Sequence, residues 1–404
     1  MARRIDNDKI LEIQKATDIV ALISEYTALK KTGRNYQGLC PFHGEKTPSF
    51  SVSQEKQVYH CFGCKASGNL FRFLMDKEGI SFQEAVETLA ERQGVKMEWK
   101  NSPEEGVRRR GLEIMEWAAG LYHEQLLSES GARALKYILD RKFTIETVKS
   151  FRLGWAPDRW DFLLGRARSR QYAEKELLEV GLIHPRDKGE GKESLEGKET
   201  YFDYFRGRLL FPIGDARGKV VGFGGRLLPP AEGPKYLNTK ETPLFYKSRL
   251  LYGFDRGRAA AREVNTVGIM EGYTDVMMAH QQGMEWMVAP LGTALTPEHL
   301  SLLRRTADKI FLIFDGDDAG VHAAVRGTGL LLEEDLDGFI VLLPPQDDPC
   351  SFLAREGKVA FHRKIAEGED LLTFILGWLG RKYDLKIPDA KNRAAEELLT
   401  LLAR

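Results

Sequence analysis

Apolar positions change period several times along the chain. From Asp8 to Tyr26, the residues Ile10, Ile13, Ile19, Val20, Leu22 and Ile23 recur at roughly helical spacing. Ser49–Val52 and Gln57–His60 alternate apolar and polar residues around Ser53-Gln54-Glu55-Lys56, which predicts a short hairpin. Ser81–Gln93 returns to the spacing of an amphipathic helix. Asn101-Ser102-Pro103-Glu104-Glu105-Gly106, running into Arg108-Arg109-Arg110-Gly111, breaks the pattern and reads as a flexible linker. Helices are expected over Leu112–Glu129 and Ala132–Lys142, and the charged, Gly-rich tract Arg186–Glu199 reads as a mobile loop. Arg206–Ile213 and Lys219–Arg226 flank a turn at Gly214–Gly218 and predict a second hairpin.

In the last third, Thr266–Met270, Glu285–Ala289, Lys309–Phe314 and Phe339–Leu343 are short apolar runs separated by helical segments, the pattern of a parallel sheet wound with helices. Two helical stretches, Asp370–Tyr383 and Asp389–Ala403, form a tail. The fold class is therefore multidomain α+β. Boundaries are expected at 1–100, 101–111 (linker), 112–261, 262–345 and 346–404. The 404 residues suffice for two to four domains, and 43% hydrophobic content supplies their cores. No run approaches membrane-spanning length, Met1-Ala2-Arg3-Arg4 lacks the apolar run of a signal peptide, and unpaired cysteines fit a reducing cytosol.

Four cysteines occur, and three fall in one pattern: Cys40-Pro41-Phe42-His43, seventeen residues, then Cys61-Phe62-Gly63-Cys64. Two ligand pairs at two-residue spacing suit a tetrahedral zinc ion held by Cys40, His43, Cys61 and Cys64, a closed structural site in a zinc-ribbon-like domain. His60, beside Cys61, is the one rival for His43. Around this motif Tyr36, Phe42, Phe50, Tyr59 and Phe62 interleave with Arg34, Lys46, Lys56 and Lys65, which serves either a small core or base stacking beside phosphate contacts.

Net charge is zero, but charge is segregated. Residues 203–262 hold twelve Lys or Arg against five Asp or Glu, and residues 263–371 hold eight against nineteen. A basic surface for a polyanion would thus precede carboxylates for metal cations. In the basic block Arg206 and Arg208, two apart, would share one face of an extended strand, and Gly222, Gly224 and Gly225 would admit another backbone. Lys235, Asn238, Lys247 and Arg249 follow. In the acidic block Glu271 closes the first apolar run, Asp275 follows, and Asp315-Gly316-Asp317 closes the third. Strand-end carboxylates of this kind can converge on magnesium, although a single such Asp often only caps a helix.

Together, Cys40-Pro41-Phe42-His43-Gly44-Glu45-Lys46-Thr47-Pro48-Ser49-Phe50, the second cysteine pair, the Arg206–Arg226 hairpin, Lys235-Tyr236-Leu237-Asn238, Glu271-Gly272-Tyr273-Thr274-Asp275 and Asp315-Gly316-Asp317 resemble the bacterial replicative DNA primases, over about residues 5–355. The resemblance implies a zinc-binding domain, a basic subdomain and a Toprim core that make short RNA primers on single-stranded DNA. The cofactors it implies are one structural zinc and catalytic magnesium or manganese. It implies Glu271, Asp315 and Asp317 as catalytic metal ligands, with Asp275 and Asp348 as further candidates. For template and nucleotide it implies Arg152, Arg206, Arg208, Arg226 and Lys235, with Asn238 and Lys247 nearby. Expected partners are single-stranded DNA, ribonucleoside triphosphates, the RNA–DNA product and a replicative helicase, with no membrane and a cytoplasmic, nucleoid-associated location. Two departures stand out: Asp348-Pro349-Cys350 replaces the family's Asp-Pro-Asp, and the helicase-binding domain is not seen in this sequence. A topoisomerase would share the carboxylates, and a non-catalytic zinc-ribbon DNA-binding protein would share the zinc motif.

Overall fold

The computed structural model describes residues 7–78, 80, 82–95, 103–186, 200–334 and 336–402. They divide into two compact units, Met1–Val107 and Arg108–Arg404. In the first, the helical stretch is two helices, α1 (Asn7–Ala16) and α2 (Ile19–Ser24). Asp18 separates them, because its carboxylate accepts the Val20 amide and starts a new helix. Five antiparallel strands follow in sequential order: β1 (Lys30–Thr32), β2 (Asn35–Gly38), β3 (Phe50–Ser53), β4 (Val58–Cys61) and β5 (Ser67–Gly68). Helices α3 (Leu70–Glu78) and α4 (Phe82–Arg92) complete the unit. Phe50 and Tyr59 are fully buried and stack at 5.4 Å, with Phe73 edge-on to Tyr59 and Phe42 tilted against both. Of the five interleaved aromatics, Phe50 and Tyr59 are therefore core and Tyr36 and Phe42 pack half-buried against it, whereas Phe62 is 63% exposed.

Helix α5 (Pro103–Leu127) replaces most of the expected linker. Ile114, Met115, Ala118, Tyr122 and Leu126 bury one stripe of it, and that burial outweighs the weak helix propensity of Gly106 and Gly111. Asn101 and Ser102 lie outside the described residues. Helices α6 (Ala132–Asp140) and α7 (Ile145–Ser150), strand β6 (Gly154–Ala156), helices α8 (Phe162–Ser169) and α9 (Glu174–Glu179), and the antiparallel pair β7 (Ile183–Pro185) and β8 (Tyr201–Asp203) follow. Of the expected loop Arg186–Glu199, residues 187–199 lie outside the described residues.

Strands β9 (Arg208–Gly214), β10 (Val220–Leu227) and β11 (Tyr236–Asn238) join β6 in an antiparallel sheet ordered β11-β10-β9-β6. The hairpin forms as expected, but its glycines make room for rings rather than backbone. A Cβ on Gly222 would lie 2.3 Å from the Phe245 ring, and one on Gly224 would lie 2.4 Å from Tyr273.

The second sheet contains β12 (Thr266–Ile269), β13 (Met287–Val288), β14 (Lys309–Phe314), β15 (Gly338–Leu342) and β16 (Glu369–Asp370), ordered β13-β12-β14-β15-β16. The first four are parallel, and β16 is an antiparallel edge. Helix α10 (Phe254–Glu263) leads in, while α11 (Tyr273–Gln281), α12 (Pro297–Arg304) and α13 (Asp318–Glu333) connect the parallel strands. Helix α14 (Pro349–Ala366), interrupted at Gly357, precedes α15 (Leu371–Lys382) and α16 (Pro388–Leu402). The chain leaves β12 for β13 on one side and returns to β14 on the other. The gap between the carboxyl ends of β12 and β14 is therefore a topological switch point, where an open α/β sheet forms its crevice.

Candidate metal centres and nucleic-acid interface

In the first unit, Cys40 and His43 lie in the loop after β2, Cys61 ends β4 and Cys64 lies in the following turn. The Sγ atoms of Cys40 and Cys64 are 3.8 Å apart, Cys61 Sγ is 3.8 Å from His43 Nδ1, and all four ligand atoms lie within 4.8 Å of one another. Tetrahedral Zn–S bonds of about 2.3 Å space their ligands by about 3.8 Å, so the group fits zinc. The other imidazole nitrogen, Nε2, faces Glu45 Oε2 at 3.3 Å, the outer contact that orients a ligating histidine. Glu45 also accepts the Cys40 and Ser49 amides, tying the loop to β3. Burial raises the Cys61 thiol, but hydrogen bonds from Ser49 and the Cys64 and Gly63 amides outweigh it and bring it down to about 6, which favours a thiolate. His60 instead packs on Phe62 at 4.7 Å and stays outside the group.

In the second unit, the carboxylates gather at the switch point. Glu271 follows β12, Asp315 and Asp317 follow β14, and Asp348 follows β15. Gly316 lets the β14 and β15 loops touch, since a Cβ there would lie 2.2 Å from the Pro344 carbonyl oxygen. Asp317 and Asp348 do serve as helix caps, accepting the Gly320 amide at 2.8 Å and the Ser351 amide at 2.6 Å. Each keeps its second oxygen for another ligand. Asp275 accepts the Gly272 and Cys350 amides at 2.9 and 3.2 Å.

In this unit the metal-competent group among the described residues is Asp275, Asp348 and Cys350, with ligand atoms within 4.8 Å of one another; Glu271, Asp315 and Asp317 lie outside that group. They are nonetheless electrostatically one cluster. Burial, then Asp348 and Asp315, pushes Asp275 up to about 8. Burial, then Glu271, Asp348 and Asp317, pushes Asp315 up to about 7. Glu271 is raised by burial and by Asp317. Asp315 Oδ1 is buried with no hydrogen-bond partner. Crowded carboxylates that repel one another, with one oxygen orphaned, fit a hard divalent cation. The Cys350 thiol is pushed up to about 12 by burial and then by Asp275, with Arg141 opposing, so the neutral thiol is favoured.

The basic residues separate by environment. Gly207 has φ +61°, which turns the chain between Arg206 and Arg208, so the expected shared face does not form. Arg208 is buried and donates to the Gly225 and Pro234 carbonyls at 3.1 and 2.9 Å, a structural duty that leaves it away from solvent phosphate. Arg206 lies 3.8 Å above the Trp160 ring, beside Phe202, with Arg186 also over that indole. Trp160 is 52% exposed. Its carbonyl accepts the Asp203 amide, and the Asp203 carbonyl accepts Arg206, which fixes the stack. The sequence reading passed over Trp160 and Phe202; an aromatic just before Asp161-Phe162 was their only signal.

Arg226 donates to Tyr236 Oη at 2.7 Å, and Asn238 bridges Tyr273 Oη and the Leu291 carbonyl, which links β10 and β11 to the carboxylate sheet. Arg152 pairs with Glu116 at 2.8 Å. Lys235 is exposed. Lys247 is half-buried, with its backbone held by Glu241 and His299.

A zinc ribbon, a basic antiparallel sheet and a parallel sheet with strand-end carboxylates place the chain among zinc-ribbon proteins with a Toprim-type core, and family models match in that order. A CHC2 zinc finger covers residues 5–105, the DNA primase catalytic core N-terminal domain covers 121–258, and a Toprim-like domain covers 268–353. A DNA primase of Halalkalibacterium halodurans is 40% identical over 409 residues, covering 100% of this chain and 67% of its own length. One from Enterococcus faecalis is 41% identical over 385 residues, covering 92% and 60%. The solved zinc-binding and RNA polymerase domains of the Aquifex aeolicus primase align with TM-score 0.62 and 31% identity over 98% of this chain and 92% of that one. A primase catalytic domain bound to single-stranded DNA aligns with TM-score 0.65 and 32% identity over 74% and 94%. This chain belongs to the DNA primase family. It spans about two thirds or less of the length of these two full-length relatives.

Proposed function

We propose that this chain makes short RNA primers on single-stranded DNA from ribonucleoside triphosphates, acting as a DNA-directed RNA polymerase. The observation that carries this reading is the switch-point cluster, five carboxylates from three strand ends with Asp315 Oδ1 buried and unpartnered. Glu271, Asp315 and Asp317, assisted by Asp348 and Asp275, would hold magnesium or manganese, which when bound lowers the pKa of the attacking 3′-hydroxyl and neutralises the leaving pyrophosphate. Protein groups do the positioning. The capping bonds of Asp317 and Asp348 fix which oxygen each presents, and Arg226, Lys235, Asn238 and Lys247 would bind triphosphate and template near the Tyr236–Tyr273 pair.

Trp160 and Arg206 would form a sequence-tolerant platform for template bases and phosphates. Cys40, His43, Cys61 and Cys64 would hold one structural zinc, so that their unit can contact template. The RNA–DNA hybrid would be the product, work at the nucleoid the setting, and a replicative helicase the family's expected partner. The test is to incubate the chain with single-stranded DNA, four ribonucleotides and magnesium. Short RNA that disappears with Asp315→Asn supports the reading, and failure of the parent to make RNA on any template defeats it.

A further inference from the structure

Arg141 follows α6, and its guanidinium meets the Cys350 thiol, whose sulfur lies within 4.8 Å of a ligand oxygen of Asp275 and of Asp348. Three observations leave this half-buried cation short of an acceptor. Its Nε is closed to solvent and has no hydrogen-bond partner, so water does not complete it. The titratable groups it meets are the Cys350 thiol and the Tyr137 and Tyr236 phenols, none of them a carboxylate. Arg226 lies over the same two rings at 5.5 and 5.3 Å, and neither arginine makes an ion pair among the described residues. Two like charges on one pair of rings repel each other, and partial burial denies them the full screening of water.

We infer that Arg141 binds the phosphate chain of the ribonucleoside triphosphate and the departing pyrophosphate, sharing it with Arg226, and that the neutral side chain of Cys350 keeps Arg141 available for it. A carboxylate at position 350 would take the guanidinium in a two-pronged pair; a thiol is too weak an acceptor to do so. Asp275 and Asp348 repel a phosphate only until a divalent cation offsets them, and a polyphosphate arrives with that cation. The charge left on the polyphosphate then falls to the two arginines. The role rests on the primer-synthesis reading and adds to it a group that the charge pattern of residues 203–262 did not include.

Calorimetric titration of the full chain with pyrophosphate at saturating magnesium should give saturable binding. Arg141→Gln should weaken it about tenfold or more, as expected for a lost hydrogen bond to a charged group. Arg141→Lys should lose less, since an ammonium keeps the charge without the fork. Cys350→Asp leaves Arg141 in place and should weaken pyrophosphate too, by pairing with it. In primer synthesis Arg141→Gln should raise the KM for ribonucleotides while affinity for single-stranded DNA holds. An arginine with a structural role alone would lower the melting temperature and leave pyrophosphate affinity as it was. No saturable binding by the parent, binding by Arg141→Gln as tight as the parent's, or unchanged or tighter binding by Cys350→Asp overturns the inference. A parent that binds pyrophosphate but makes no RNA defeats the primer-synthesis reading and leaves the polyphosphate contact standing.

Discussion

Individual carboxylates in the second unit carry opposite duties in folding and in function. Asp275, held up to about 8, and Asp315, held up to about 7, retain protons that the unfolded chain has released above its ordinary value near 3.8. In that window the native state binds more protons than the unfolded one, so the metal-free chain should lose stability as pH rises from about 4 and level off above about 8. A divalent cation must displace the same protons, so its stabilising effect should grow over the upper part of that range. Melting temperatures measured with and without magnesium at about pH 6 and about pH 8 check this, the larger gain being expected at the higher pH. Asp315→Asn should raise the metal-free melting temperature, remove most of the magnesium gain and abolish RNA synthesis with little change in DNA affinity.

Cys350 serves through its backbone, donating to Asp275, so Cys350→Ser should leave activity and magnesium dependence unchanged, whereas Asp348→Ala should raise the magnesium requirement. A large loss in Cys350→Ser, read from primer yield against magnesium, would make the thiol a ligand.

At the level of strands and helices, the loops that carry function are fixed by contacts their sequence does not announce. Gly316→Ala places a methyl group 2.2 Å from the Pro344 carbonyl, so it should destabilise by about 1–3 kcal/mol, the usual cost of overpacking, and disperse Asp315 from Asp348. Denaturant unfolding and primer yield should fall together. Cys61→Ser should release zinc and unfold the β2–β5 region, because closure of that site supplies local folding free energy. Zinc content and far-ultraviolet circular dichroism report it.

The four parallel strands were legible because each is a short apolar run ended by turn residues, and the observed strands fall within two residues of the expected ones. Helix α5 was not, since Pro103, Gly106 and Gly111 look like loop residues until the buried stripe after Leu112 is known to continue their register. The carboxylates were visible as strand ends, but their convergence depends on strand order, which no periodicity encodes. Arg208 was misread for a similar reason, because one positive φ at Gly207 turns a surface pattern inward.

On the scale of the whole molecule, the two units are separate bodies of structure, and a fragment meant to retain the chemistry should begin at Pro103, which keeps α5 whole, rather than at residue 112. Such a fragment should extend a pre-formed primer on single-stranded DNA while initiating poorly. An inactive fragment with native circular dichroism would show that the first unit takes part in chemistry. Arg206→Ala in the full chain should weaken single-stranded DNA binding and flatten its dependence on salt, since fewer counterions are displaced, whereas Arg208→Ala should chiefly destabilise the fold. Fluorescence anisotropy across a salt series, set beside thermal melts, separates the two.

The stack of Arg206 on Trp160 also makes the molecule its own optical sensor. Of the six tryptophans, Trp117, Trp155, Trp286 and Trp378 are half-buried or buried, and Trp160 alone among the described ones is open to solvent. A base laid on that indole would share its excited state and shift its emission, so unlabelled chain mixed with single-stranded DNA should dim at the red edge of its spectrum. Trp160→Phe would keep the platform and silence the signal, turning a point on the path of the template into a clock for its arrival.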